Sequence, residues 1–219
     1  MELGIQVAVV NYTVAEELRY ALQGVDILIS TIGGAEQLDL IDAARWARVR
    51  LFVPSEFEGS LSHRSTSEIA LDRGSDAVMD ILRRWSQSKS SPMAYTVFSC
   101  GVFYERFAPG GLNRFNIGGG QPGGALEQGD FLLDVEMGTA EIVETNGQNR
   151  PVQVSMVSVY DAARFVAAAI ELGPASWPRE FKMRGDQMTA RDIVGVCSQV
   201  RGSSWPPLPP LFRFCCPQC

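Results

Sequence analysis

Three short stretches hold the residues best suited to chemistry: Thr31-Ile32-Gly33-Gly34, Pro54-Ser55-Glu56-Phe57 and Cys100-Gly101-Val102-Phe103. Glycines at 33 and 34 let backbone amides approach a ligand, because no Cβ stands in the way. Ser55 and Glu56 offer a hydroxyl and a carboxylate. Each stretch alone reads more readily as an ordinary turn. Each also follows an apolar, β-branched run, and in doubly wound α/β sheets ligands lie just outside the carboxyl ends of the strands. Three such segments together therefore point to one ligand rim.

Other chemistries find little support. His63 is the only histidine, so the crowded Cys215, Cys216 and Cys219 have no second ligand pair, and no metal site is expected. Cys100 and Cys197 sit in apolar segments and read as buried, reduced thiols. Asn11-Tyr12-Thr13 spells a glycosylation sequon without any other sign of secretion.

The elements that must carry the rim read as parallel β-α-β units. Ile5 to Val10 is a candidate strand. Thr13 with Glu16 forms a candidate capping box for a short helix ending at Gly24. Val25 to Ser30, almost continuously apolar, suits a strand covered on both faces. A helix is expected from about Glu36 to Ala47, a strand over Val49 to Val53, a long helix from about Ser67 to Trp85, and a strand over Tyr95 to Ser99. Gly110 to Gly129 reads as a long glycine-rich loop. Candidate strands at Thr139 to Val143 and Gln153 to Val157 precede a helix capped by Ser158, whose Ala162, Phe165, Val166, Ala169 and Ile170 suggest a core stripe. Glu180 to Met183 is a further candidate strand. Thr189 and Asp192 cap a last helix carrying Ile193, Cys197 and Val200 up to Gly202. Residues 203–219, with five prolines and three cysteines, are expected to be unstructured.

The stretch Val25 to Gly34, the run Leu40-Ile41-Asp42-Ala43-Ala44 leading to Phe52-Val53-Pro54-Ser55-Glu56-Phe57, and Tyr95 to Glu105 together resemble the NmrA-like and isoflavone-reductase-like proteins, particularly fungal ones. Ser158 to Ala163 and Gly185-Asp186 with Thr189 fit the same pattern. The resemblance implies an atypical short-chain-dehydrogenase relative, α/β in class, with an incomplete doubly wound parallel (Rossmann-like) sheet and a small substrate-side region. It implies NADP or NAD as cofactor and a small aromatic or polyketide-like substrate reduced by NAD(P)H. Carried over by position, Thr31, Ile32, Gly33 and Gly34 would border the adenosine and nicotinamide-ribose path. Pro54, Ser55, Glu56 and Phe57 would lie by the nicotinamide, and Ser99, Cys100, Gly101 and Phe103 would face the substrate.

Two departures from the family pattern shape the expectations. The sequence contains no strand, G-x-x-G-x-x-G turn and helix of the kind that grips a pyrophosphate. Gly118, Gly120 and Gly123 spell G-x-G-x-x-G, but with Pro122 inside and no strand before it. The chain starts where the family's third strand is expected, as though truncated at both ends, and weak cofactor binding by this chain follows. Residues 1–109 are then a partial NAD(P)-binding domain without its first two strands, and 110–202 the glycine-rich loop and substrate-side elements. The second departure is catalytic: where the resemblance places a proton-donating lysine early in the long helix, this chain has Ser75, with no base foreseen beside it. The two lysines, Lys89 and Lys182, lie elsewhere, and neither has a tyrosine four residues before it. A noncatalytic, dinucleotide-sensing regulator of the NmrA type, or a truncated product without independent activity, are the alternatives to a reductase.

A formal net charge of -6 repels phosphate backbones, and the basic residues are scattered, which excludes nucleic acid as a partner. No apolar run reaches membrane-spanning length and no signal-peptide pattern is present, so a cytoplasmic protein is expected. With its flanking strands missing, the sheet would expose an edge fit for self-association. The less costly arrangement sets Ile5 to Val10 beside Val25 to Ser30, pairing Val7 and Val9 with Ile27 and Ile29.

Overall fold

The computed structural model describes residues 4–57, 59–60, 75–117 and 131–202. The residues fall into two compact units that interleave along the chain, one built mainly from 1–57, 62–98 and 173–181, the other from 99–172 and 182–219. His63, the Gly118, Gly120 and Gly123 triplet, residues 67–74 of the expected long helix, and the tail with its cysteines lie outside the described residues.

The first unit is organised by a parallel sheet in the order β1 (Ile27–Ile29), β2 (Leu51–Val53), β3 (Ala94–Tyr95). In register, Ile27 lies beside Leu51 and Ile29 beside Val53. The central strand is buried throughout, Phe52 and Val53 completely. That burial explains its unbroken apolar sequence, since helices leave neither face of such a strand to water. Helix α1 (Ala15–Ala21), helix α2 (Ala35–Trp46) and helix α3 (Ser75–Ser86) supply the remaining core through Leu18, Leu40, Ile41, Ala44, Val78, Met79 and Leu82.

The expected strand over Tyr95 to Ser99 is split at Thr96. Tyr95 pairs with Phe52, and the Thr96 amide still donates to the Phe52 carbonyl (3.1 Å), but the Val97 amide turns to the carbonyl of Arg179 (3.0 Å). β4 (Val97–Ser99) then pairs with β9 (Glu180–Lys182). Changing partner in mid-strand needs main-chain donors to face opposite sides, which successive residues of an extended chain do.

Two sequence expectations fail at the amino-terminal end. Ile5 to Val10 forms no strand; Ile5, Val7 and Val9 are 72%, 84% and 95% exposed, and Val7 and Val9 do not pair with Ile27 and Ile29. Nor do Thr13 and Glu16 form a capping box. The α1 N-cap is Val14, and Asn11 organises the turn. Its carboxamide oxygen accepts from the Thr13 amide and hydroxyl (3.0 and 2.8 Å), while its own amide donates to Glu17 (2.8 Å). Asn competes well for such a turn because its short side chain reaches backbone two residues on.

In the second unit β8 (Gln153–Val157) is central. It pairs in antiparallel fashion with β10 (Asp186–Thr189) and in parallel with β5 (Val102–Phe103). β6 (Leu133–Asp134) and β7 (Thr139–Ala140) form a small hairpin, shorter than the strand expected to run to Val143. Leu133, Met156 and Ile193 centre the core. The expected capping box of α5 (Ala190–Arg201) is present: the Thr189 hydroxyl accepts from the Asp192 amide (3.1 Å), and Gly202 ends the helix in the left-handed region. The stripe on α4 (Val159–Leu172) is narrower than expected. Ala162 and Ala169 are buried, but Phe165 and Ile170 stay 36% and 45% exposed. Only the line spaced by two turns, occupied by small residues, is buried. The start of the glycine-rich stretch is also more ordered than a plain loop: Gly111–Phe115 is a 3-10 turn that buries Leu112.

Candidate functional site

Parallel pairing of β1 with β2 brings two predicted segments to the same end of the sheet. The Ser30 amide donates to the Val53 carbonyl (2.8 Å), so Thr31 to Gly34 and Pro54 to Phe57 leave the sheet side by side. Ser30 is buried and steadies the first turn, its hydroxyl donating to the Ile32 carbonyl (3.1 Å). Thr31, Gly33 and Gly34 are exposed. Gly34 is the N-cap of α2 with φ +73°, a conformation a side chain would strain. No side chain caps α2, which leaves amides of its first turn for a ligand.

The second segment is held from two helices. The Ser55 amide donates to Oε1 of Gln37 (2.6 Å), a fully buried α2 residue. The Glu56 carboxylate is only 5% exposed, and its Oε2 accepts from the Ser75 hydroxyl at the start of α3 (2.7 Å). This overturns the expectation that Ser75 has no base beside it: residues 19 apart in sequence meet because α3 begins at the carboxyl end of β2. Phe57 stacks on the buried Phe98 (6.3 Å between centroids), which Phe181 and Trp177 also contact. Gln37 was invisible to sequence reasoning. Its one signal, a polar residue on the inward face of an apolar helix, appears only once the helix phase is known.

The third segment belongs to the second unit. Ser99 and Cys100 are buried, and the Ser99 carbonyl accepts from the Met183 amide (2.9 Å). Gly101 has φ +79°, and a Cβ there would collide with the Ser155 carbonyl, so only glycine fits. Phe103 is half-buried in β5 beside Val157. The next two residues were not singled out from sequence, yet both anchor this unit. Tyr104 donates to Asp186 (2.7 Å); burial first, then that bond, push its phenol up to about 12. Glu105 accepts from the Ser158 hydroxyl (2.8 Å) and the Val159 amide (3.0 Å), capping α4.

No family model matches the sequence. An isoflavone reductase homolog of Nicotiana glauca is 33% identical over 98 residues, and a similar protein of Nicotiana tabacum matches equally well. The chain is thus similar over part of its length to isoflavone-reductase-like proteins. The matched residues are 43% of this chain and 30% of either tobacco relative. Among solved structures, leucoanthocyanidin reductase from Vitis vinifera superposes with a TM-score of 0.59 at 16% identity, covering 89% of this chain and 60% of that one. An isoflavone reductase gives 0.58 at 20% identity, covering 89% and 57%. A nucleoside-diphosphate-sugar epimerase from Staphylococcus aureus gives 0.60 at 16% identity, covering 91% and 62%. These likenesses show a Rossmann-like α/β fold. The chain spans about 60% of the length of these structures.

Among the described residues no group of His, Cys, Asp and Glu side chains is gathered to hold a metal, and no helix is long and apolar enough to cross a membrane. The uncapped helix start has Glu36 in its first turn, its carboxylate 3.4 Å from where a Gly34 Cβ would sit, which favours neutral donors and acceptors over an anion.

Proposed function

We propose that this chain carries the nicotinamide-side and substrate-side parts of an NAD(P)H-dependent reductase acting on a small aromatic or polyketide-like molecule. One observation carries the reading. The parallel β1–β2 pair sets Thr31 to Gly34 against Pro54 to Phe57 at the carboxyl end of the sheet, where ligands of this fold bind. In this reading the Gly33 and Gly34 backbone and the Ser55 hydroxyl hold the ribose and carboxamide, and Phe57 shields the ring from water. Ser99, Cys100, Gly101 and Phe103 shape the substrate side. When bound, the cofactor supplies hydride. Support comes from relatives named as isoflavone reductases and from leucoanthocyanidin reductase, known as a binary complex with NADPH.

Ser75 favours a second reading, a dinucleotide-binding protein without turnover. The Ser75 hydroxyl donates its hydrogen bond to Glu56, and a serine hydroxyl is no substitute for an ammonium as a general acid near neutral pH. Titration of the ¹⁵N-labelled chain with NADPH separates the possibilities. We expect a dissociation constant weaker than about 10 μM, with amide shifts gathered at Gly33, Gly34 and Ser55. Shifts gathered elsewhere, or none at millimolar NADPH, would overturn the placement. NADPH oxidation with a panel of aromatic ketones and enones then distinguishes reductase from sensor.

A further inference from the structure

Of the five asparagines in the sequence, only Asn146 is followed by glycine. Glycine leaves the main-chain nitrogen after the asparagine unshielded by a Cβ, and that nitrogen can attack the asparagine's own side-chain carbonyl carbon. Whether it does so depends on how the side chain is held. In the second unit residues 144–152 form a hairpin tip that feeds β8. Its base is fixed: the Val152 amide donates to the Glu144 carbonyl (2.9 Å), and Thr145 forms an antiparallel bridge with Pro151. Arg191 on α5 donates to both carboxylate oxygens of Glu144 (3.2 and 3.3 Å). Gly147, Gln148, Asn149 and Arg150, at the tip, are exposed to water.

There the Asn146 side-chain oxygen accepts from two main-chain amides, those of Gln148 and Arg150 (3.0 Å each). The Asn146 amide donates to the Arg150 carbonyl, and the Asn146 carbonyl accepts from the Asn149 amide (2.9 Å each). Two donors on one carbonyl oxygen draw electrons from Cγ. They already stand where negative charge would develop during attack, which is the arrangement of an oxyanion hole. The bond from Gln148 also folds the side chain back over its own peptide link, towards the Gly147 nitrogen. We propose that Asn146 is a site of spontaneous deamidation, with the turn as its catalyst. The Gly147 nitrogen forms a bond to Cγ and gives up its proton, the bond from Cγ to the side-chain nitrogen breaks, and that nitrogen leaves with the proton as ammonia. Water then opens the five-membered imide at either carbonyl, yielding aspartate or isoaspartate, and nothing is oxidised or reduced. The aspartate keeps the tip, because a carboxylate oxygen accepts more strongly from the same two amides. The isoaspartate adds a methylene to the main chain, so Thr145 and Pro151 lose their register. The reaction needs no cofactor and no substrate beyond water.

The test is peptide mapping by mass spectrometry of the full chain in mildly alkaline buffer, one sample folded and the other unfolded in guanidinium chloride. We expect conversion at Asn146 to be about tenfold faster in the folded chain, a small part of what one such donor gives an enzyme, with Asn149 unchanged beside it. Gly147→Pro has no amide proton to give up and suits the second position of such a turn, so conversion should stop in that variant. Gly147→Ala hinders the attack and should slow it, with the circular dichroism spectrum of the wild type. An intact Asn146 in the folded chain, conversion as fast or faster in the unfolded chain, or conversion in Gly147→Pro would overturn the proposal.

Discussion

Ile5 to Val10 and Leu51 to Val53 are built from the same kinds of residue and meet opposite fates. Val53 and Phe52 are fully buried with a strand on either side, while Val9 is 95% exposed. β-propensity describes how well a side chain suits a pleated, half-buried surface, and it has no effect until neighbouring strands provide that surface. β2 has β1 and β3 on its two sides to complete it. The amino-terminal run is steered away by the Asn11 turn before it can reach a partner.

The largest effect that tests this contrast is Phe52→Ala, which empties a fully buried site and should cost the first unit about 3–5 kcal/mol. Val9→Ala in the monomer should stay within about 0.5 kcal/mol. Urea unfolding followed by fluorescence of Trp46 and Trp85 measures both, and comparable losses would break the comparison. Next comes the loop that β2 delivers. Ser75→Ala withdraws a hydroxyl from the buried Glu56 carboxylate and should destabilise by about 1–3 kcal/mol. Ser75→Lys alone should give no NADPH oxidation, because a lysine there pairs with the buried Glu56 carboxylate.

The two threonines read as caps offer a smaller contrast of the same kind. Thr189 occupies a complete capping box, so Thr189→Ala should cost about 0.5–2 kcal/mol. Thr13 bonds only within the Asn11 turn, and Thr13→Ala should cost less when the two variants are unfolded side by side. Smallest is an alkaline effect at Tyr104. Its phenol is raised from 10.0 to about 12 in the folded protein, so the protonated form is the one the fold favours. The stabilisation is complete below pH 10 and is lost as pH rises through about 12. Tyr104→Phe should remove that part of the pH dependence of the melting temperature between those limits.

The α/β class, the elements from α1 to β2, and the turns that follow β1 and β2 were legible because each rests on local signals. An apolar run ended by Pro54, a capping pair at Thr189 and Asp192, and glycines at 33 and 34 act within a few residues of themselves. Tertiary structure alone decided the rest. Whether Ile5 to Val10 becomes a strand depends on a partner that it does not carry. The split at Thr96 depends on where Arg179 lies, 83 residues on in the numbering. Glu56 and Ser75, read separately as an unassigned acid and an isolated serine, become one hydrogen-bonded pair only when α3 docks at the end of β2. Gln37 and Glu105 hold the rim and cap a helix through partners 18 and 53 residues away. Hydrogen bonds of such span carry no periodicity in the sequence, because what selects each residue is the point in space at which its partner arrives.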